Sequence, residues 1–281
     1  MMSRRADARV HLFEGGFQSA FTARPGVRID EAPFYDSLAK EHDIAYALVV
    51  GYEGMPWAKD NNQYIAKLAE KYKWIRPTAY FDHERPLTRD ALNAWREHGF
   101  VGISLYILDD TAKSFVEKVE PAVWEWLADH KWLLSVNTRG DYLKIWPGIL
   151  DKYPTLQVLF SHMALPAAVA EPPTPDVAKQ AIKLQTDLAT YPGVHIKLSG
   201  FYAVSKPLHD YPHRAPSPSF DAVAEAFTTR RLVWGSDATP CLDYLSFPQT
   251  LTVFDKMPFL TNEDREAICG ENLIQLLADA S

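Results

Sequence analysis

The sequence predicts an α/β fold of the (β/α)8 TIM-barrel type, and three observations carry that prediction. Eight short apolar runs are spread along the chain, segments with helical periodicity separate most of them, and the length suits one large barrel. With 281 residues, 47% hydrophobic and 23% charged, the chain can bury one full core, so residues 1–281 are read as a single domain.

In order, the strands expected are Ala8 to Phe13, Ala45 to Gly51, Trp74 to Phe81, Val101 to Tyr106, Trp132 to Val136, Leu156 to Ser161, Val194 to Ser199 and Leu232 to Ser236. Helical periodicity marks Asn62 to Tyr72, Arg89 to His98, Phe115 to His130, Tyr142 to Lys152, Ala178 to Thr190 and Phe220 to Thr229. A doubly wound dinucleotide-binding sheet is the alternative. It is weakened because Glu14-Gly15-Gly16-Phe17, after the first strand, lacks the G-x-G-x-x-G order. Two proline-rich loops follow strands six and seven, Leu165 to Asp176 and Ser205 to Pro218, and are expected to wall a pocket at the barrel's C-terminal face.

A formal net charge of −7 and the lack of a Lys/Arg cluster argue against a nucleic-acid surface, leaving small molecules, anionic ones included, as the expected partners. Homo-oligomerisation is open. Cys241 and Cys269 are isolated, without metal-knuckle or disulfide spacing. Met1 to Arg5 is positively charged, but no apolar run of signal-peptide length follows, and no window approaches a membrane span. A reducing, cytoplasmic location is therefore expected.

Chemistry is expected where strands end, because a closed barrel brings those ends to one mouth. The polar residues there are Arg9 and His11, then His83 and Arg85, Tyr106, Asn137 and Arg139, His162, Lys197 and Ser199, and finally Asp237. Asp237 closes the apolar string Leu232-Val233-Trp234-Gly235-Ser236 and could equally cap the next helix. Alternation places Lys197 inward with His195 and Ser199, and a buried lysine requires an anion nearby. Arg139, Arg214, Lys197 and Arg85 are candidates to hold a substrate carboxylate, and Tyr106, Tyr202, Tyr211 and Trp57 to supply aromatic walls.

Several of these strings resemble the amidohydrolase superfamily, and within it the amidohydrolase 2 branch that includes 2-pyrone-4,6-dicarboxylate lactonase and sugar lactonases. They are Gly99-Phe100-Val101-Gly102-Ile103, Tyr153-Pro154-Thr155-Leu156 followed by Ser161-His162-Met163, Ile196-Lys197-Leu198-Ser199-Gly200, Trp234-Gly235-Ser236-Asp237 and Gly270-Glu271-Asn272. The first strand departs from that pattern. Where the family carries D-x-H-x-H, this chain has Asp7-Ala8-Arg9-Val10-His11, and the fifth-strand histidine of metal-dependent members is replaced by Asn137.

The resemblance implies a hydrolase, and the departures imply one that works without metal or other cofactor, since a guanidinium occupies a ligand position and zinc ordinarily needs three protein ligands. The reaction expected is hydrolysis of an ester-like bond, foremost a lactone of a carboxylate-bearing or sugar-derived molecule. Asp237 would accept a proton from water, with His162 and His11 as further catalytic groups. Arg9, His11, His162 and Lys197 are candidate oxyanion donors. Arg9, Asn137, Lys197, Tyr106, Arg139 and Arg214 are the candidate substrate-binding residues. A decarboxylase of an aromatic acid, an isomerase or cyclase, and a ligand-binding barrel that has lost its chemistry are the alternatives.

Overall fold

The computed structural model describes residues 4–18 and 30–280, so the reading of Met1 to Ser3 lies outside the described residues. Eight parallel strands form one sheet in sequence order: β1 Arg5–Val10, β2 Ile44–Val50, β3 Ile75–Tyr80, β4 Gly102–Ile107, β5 Leu133–Thr138, β6 Gln157–Phe160, β7 Val194–Leu198 and β8 Leu232–Trp234. A parallel bridge from Val10 to Ala238 brings the last strand back to the first, and the Arg9 carbonyl accepts the Asp237 N–H at 2.9 Å. The protein is a (β/α)8 barrel.

The helices among the described residues are α1 Glu31–Glu41, α2 Asn61–Lys71, α3 Arg89–Glu97, α4 Asp110–Glu117, α5 Pro121–Asp129, α6 Trp146–Leu150, α7 Pro175–Ala181, α8 Lys183–Asp187, α9 Ser217–Phe227, α10 Phe247–Thr252, α11 Asn262–Glu266 and α12 Asn272–Asp279. The single helix expected over Phe115 to His130 is two, because Pro121 has no N–H to continue the first and instead begins the second. α1 and the three short helices after β8 were not expected. Pro33 interrupts the pattern in the first, α10 runs for six residues, and a π-helical turn over Ala267–Glu271 joins α11 to α12 and breaks the 3.6-residue repeat between them.

The barrel is layered along its axis. At its N-terminal end Ala6, Ala8, Leu48, Leu133, Leu159 and Val233 meet inside the sheet, closed from below by Leu273, Leu276 and Leu277 of α12. Above them the interior turns polar, with Thr78 bonded to Ser104 at 2.6 Å and Lys197 Nζ donating to Ser135 Oγ at 2.6 Å. Close strand approach is required here, since a Cβ on Gly102 would lie 2.0 Å from the Leu133 carbonyl oxygen. The large apolar core lies outside the sheet, between strands and helices, and includes Trp132, Trp146, Phe160, Phe220 and Phe254.

The two proline-rich loops lie together at the C-terminal face. Val169 N–H donates to the Val204 carbonyl at 3.2 Å, and Lys206 N–H to the Val169 carbonyl at 2.9 Å, so one wall braces the other. No helix among the described residues is long and apolar enough to cross a membrane.

Candidate active site

Asp7 sets the frame. Buried in β1, its Oδ1 accepts the backbone N–H groups of Arg9 at 3.0 Å and Ser236 at 2.8 Å, and its Oδ2 accepts the Tyr35 hydroxyl of α1 at 2.8 Å. One carboxylate therefore joins the two strands where Arg9 and Asp237 emerge. Burial pushes its pKa up to about 6, against the hydrogen bonds from Ser236, Arg9 and Tyr35. An acid raised in the folded state binds protons more tightly there than when unfolded. The stability linked to the neutral form is then present at low pH and lost as pH rises from about 4 to 6. Asp7→Asn is expected to abolish that slope and to gain about 3 kcal/mol relative to wild type between pH 4 and 8. Denaturant titrations across that range check it, and parallel pH profiles for the two proteins would refute it.

The register of β1 against β2 shifts between Asp7 and Val10, which lets Ala8 and Arg9 both face inward. Arg9 is buried; its Nε donates to Asp237 Oδ1 at 2.7 Å and its Nη1 to Ser161 Oγ at 2.7 Å. The other carboxylate oxygen of Asp237 accepts the Tyr202 hydroxyl at 2.5 Å. Burial alone would raise the Asp237 pKa, but His162, Arg9, His11 and the Tyr202 bond outweigh it and hold the pKa at about 2. The carboxylate is charged at every working pH.

Two imidazoles flank this ion pair. His11 Nε2 stands 3.7 Å from Asp237 Oδ1, and His162 Nε2 stands 3.8 Å from Oδ2. Burial, then the Arg9 charge, lower the His11 pKa to about 3. Burial lowers that of His162 to about 4, with Asp237 opposing and Arg9 assisting. Both rings are neutral near pH 7, so each carries one hydrogen. His11 Nδ1 lies 2.9 Å from the Val50 carbonyl, which can only accept, so its hydrogen is on Nδ1 and its Nε2 is a bare lone pair. For His162 the reverse holds. Ser199 Oγ accepts the His162 backbone N–H at 3.3 Å and lies 3.0 Å from Nδ1, to which it can donate. That arrangement leaves Nε2–H facing Asp237.

Local backbone geometry makes this placement possible. Asp237 has φ 60° and His162 φ 54°, and Met163, Ala164 and Leu165 continue in the left-handed region. Gly200, also left-handed at φ 57°, receives the His162 ring, since a Cβ there would lie 2.1 Å from Nδ1.

The structure sorts the remaining candidates. His11 cannot serve as an oxyanion donor, because Nε2 carries no hydrogen. Lys197 has no carboxylate within ion-pair distance among the described residues; its partner is Ser135, it is fully buried below the mouth, and burial lowers its pKa well below that of an ordinary lysine. Its direct acceptor is thus a hydroxyl, while Asp237 and Asp7 favour its charge from beyond contact distance. Arg139 and Arg214 stand exposed, with no side-chain hydrogen bond or ion pair among the described residues. Arg85 is held by Glu53 at 2.8 Å and Asp82 at 3.2 Å, and Tyr211 bonds to Thr252 at 2.8 Å.

Tyr106 remains beside the pair, with Arg9 Cζ 5.9 Å from its ring centroid. The same tyrosine lines a cavity of about 480 Å³ over β2, β3 and β4, together with Tyr52, Tyr80, Glu53, Asp82 and Asp109. Two residues of the site carried no signal that identified their role. Tyr202 was legible only as an aromatic wall, and Ser161 only as the end of a strand.

A metal ion does not fit these residues. Asp237 Oδ1 is engaged by a guanidinium that cannot lose its proton, and no group of three His, Cys, Asp or Glu among the described residues is arranged to hold an ion.

An eight-stranded barrel that gathers a buried carboxylate and two histidines at its C-terminal mouth is suited to acid–base chemistry. A family model described as Amidohydrolase matches residues 6–277, and the chain belongs to the amidohydrolase family. It is 28% identical over 151 residues to L-fucono-1,5-lactonase of Burkholderia ambifaria, a stretch covering 53% of this chain and 49% of that protein. The match thus spans about half the length of that relative. Among solved structures, an amidohydrolase from Burkholderia multivorans with bound zinc has a TM-score of 0.81 at 18% identity, covering 98% of this chain and 99% of that one. A probable 2-pyrone-4,6-dicarboxylic acid hydrolase from Acinetobacter baumannii, with citric acid bound, has a TM-score of 0.74 at 19% identity, covering 98% and 99%.

Proposed function

We propose that the protein hydrolyses a sugar-derived lactone without a metal ion, with Asp237 taking the proton from water. The observation that carries this reading is the buried Arg9–Asp237 pair at 2.7 Å, a cation and a base held together where a metal and its ligand would otherwise stand.

His11 Nε2 and Asp237 Oδ1, 3.7 Å apart, are two acceptors that one water can bridge with its two hydrogens, leaving its lone pair free to attack a carbonyl. The proton passes to Asp237 as the new C–O bond forms. Arg9 meets the oxyanion, and as its charge is shared with that oxygen its hold on Asp237 weakens, which raises the basicity of the carboxylate when it is needed. As the acyl C–O bond breaks, the protonated Asp237 returns that proton to the departing ring oxygen, which His162 Nε2–H, 3.8 Å from Asp237 Oδ2, steadies by a hydrogen bond. Atoms and charge balance with water as the sole co-reactant. A lactone suits this site, since its carbonyl is activated enough for a guanidinium to replace a Lewis acid.

The cavity supports a neutral polyhydroxylated substrate over a carboxylate-bearing one. Glu53, Asp82, Glu84 and Asp109 outnumber Lys59 and His83 along its wall, and carboxylates and tyrosines accept from and donate to sugar hydroxyls. The test is a panel of aldonolactones and pyrone dicarboxylates assayed after dialysis against a chelator. Turnover of an aldonolactone well above its spontaneous rate, unchanged by chelation, is expected. Activity that appears only on adding back zinc or manganese would overturn the metal-free reading.

A further inference from the structure

Two buried polar atoms at the mouth have hydrogen-bonding capacity to spare: Asn137 Oδ1 has no partner among the described residues, and the Tyr106 hydroxyl meets only the Arg9 guanidinium, which can give it a hydrogen but take none. They belong together. Tyr106 and Asn137 are register partners on β4 and β5, one step above the paired Ser104 and Ser135 whose side chains fill the barrel interior, so both point into the mouth from adjacent strands. Buried polar groups left without partners cost stability, and evolved interiors satisfy nearly all of them. One is a donor as well as an acceptor, while Oδ1 can only accept. Such a pair is complementary to a hydroxyl group, which accepts from the phenol and donates to the amide oxygen.

Their position relative to the chemistry fixes which hydroxyl. Arg9 lies against Tyr106 and acts on the phenol, lowering its pKa against the burial that raises it to about 12, while its guanidinium also reaches Asp237 and Ser161. If Arg9 receives the carbonyl oxygen, the substituent next to that oxygen on the side of β4 and β5 is the one borne by the α-carbon. The other neighbour of the carbonyl, the ring oxygen, is directed to His162, which follows β6. We infer that Tyr106 and Asn137 together read a hydroxyl on the carbon adjacent to the reacting carbonyl, making the protein selective for 2-hydroxy lactones. This inference rests on the lactonase reading above.

The experiment compares matched pairs that differ only at that carbon: α-hydroxy-γ-butyrolactone with γ-butyrolactone, and D-glucono-1,5-lactone with its 2-deoxy analogue. A site built to bond a hydroxyl rejects the analogue lacking it, and with two polar groups left unpaired the expected preference in kcat/KM is about 100-fold or more. In Tyr106→Phe and in Asn137→Ala the preference is expected to fall to about 10-fold or less. Asn137→Asp, which keeps the acceptor, retains more of the preference than Asn137→Ala. Thermal melting within a few degrees of wild type establishes that the variants are folded. Equal rates on both members of each pair in wild type, or a preference that survives both single variants, would overturn the inference while leaving the lactonase reading intact. Absence of turnover on every lactone would instead overturn the lactonase reading, and the selectivity with it.

Discussion

Asp237→Asn is expected to lower kcat/KM for lactone hydrolysis by about 1,000-fold or more, since an amide keeps the shape of the carboxylate but takes no proton. The same change leaves Arg9 buried without a counter-charge, so stability falls as well, by about 3–5 kcal/mol for a broken buried pair. Activity is therefore compared at a temperature where both proteins are folded, by circular dichroism. A variant within about tenfold of wild type would remove Asp237 from the proposed chemistry. The pH profile gives a second reading of the same group. Because the Asp237 carboxyl is depressed to about 2 when folded, its contribution to stability is present above the unfolded value near 4 and lost as pH falls through that window toward 2. The activity limb lies higher. His162 must be neutral to accept from Ser199 and donate through Nε2, and it titrates at about 4, so kcat/KM is expected to be flat from pH 5 to 8 and to fall below about 4.

Arg9→Met removes the other half of the pair. Asp237 then keeps the Tyr202 bond and two neutral imidazoles beside it but no permanent cation, burial drives its pKa upward, and stability is expected to drop by about 3–5 kcal/mol. Loss of the guanidinium also removes the group facing the oxyanion, at an expected further decrease of about 100- to 1,000-fold in kcat. The double variant Arg9→Met with Asp237→Asn separates the two effects. With neither charge left unpaired, it is expected to regain most of the stability while remaining inactive, and a thermodynamic cycle over the four proteins gives the coupling. Additive losses of stability would mean that the two side chains do not depend on each other as the 2.7 Å contact requires.

The eight strands were legible as apolar runs because both faces of a barrel strand are covered, which leaves a strong one-dimensional signal. Boundaries were legible less sharply. The last run was read through Ser236, whereas β8 ends at Trp234. Helix α10 is only six residues long, and the π-helical turn at Ala267–Glu271 breaks the repeat between α11 and α12, although α12 itself spaces Leu273, Leu276 and Leu277 to close the barrel floor. At the site, His162 and Asp237 could be picked out by type and position, and Arg9 by its departure from a histidine pattern. Tyr202 could not, because its hydroxyl reaches Asp237 across 35 residues of chain from a different strand exit. Lys197 was legible as inward, but its direct partner, the Ser135 hydroxyl on another strand, was not. Sequence alternation gives direction but cannot say whether a buried amine keeps its proton.

The order of residues alone determined the barrel and the family of polar groups gathered at its mouth, since hydrophobic spacing and strand ends are properties of the chain itself. Charge state, tautomer and partner were decided only in three dimensions. Whether His11 gives or receives a hydrogen depends on Val50, whether Asp237 is ionised depends on Arg9 and Tyr202, and which way His162 faces depends on Gly200 and Ser199. These contacts join residues far apart in the chain, and hydrogen bonds and Coulomb forces act over a few ångströms of space, so no one-dimensional pattern records them.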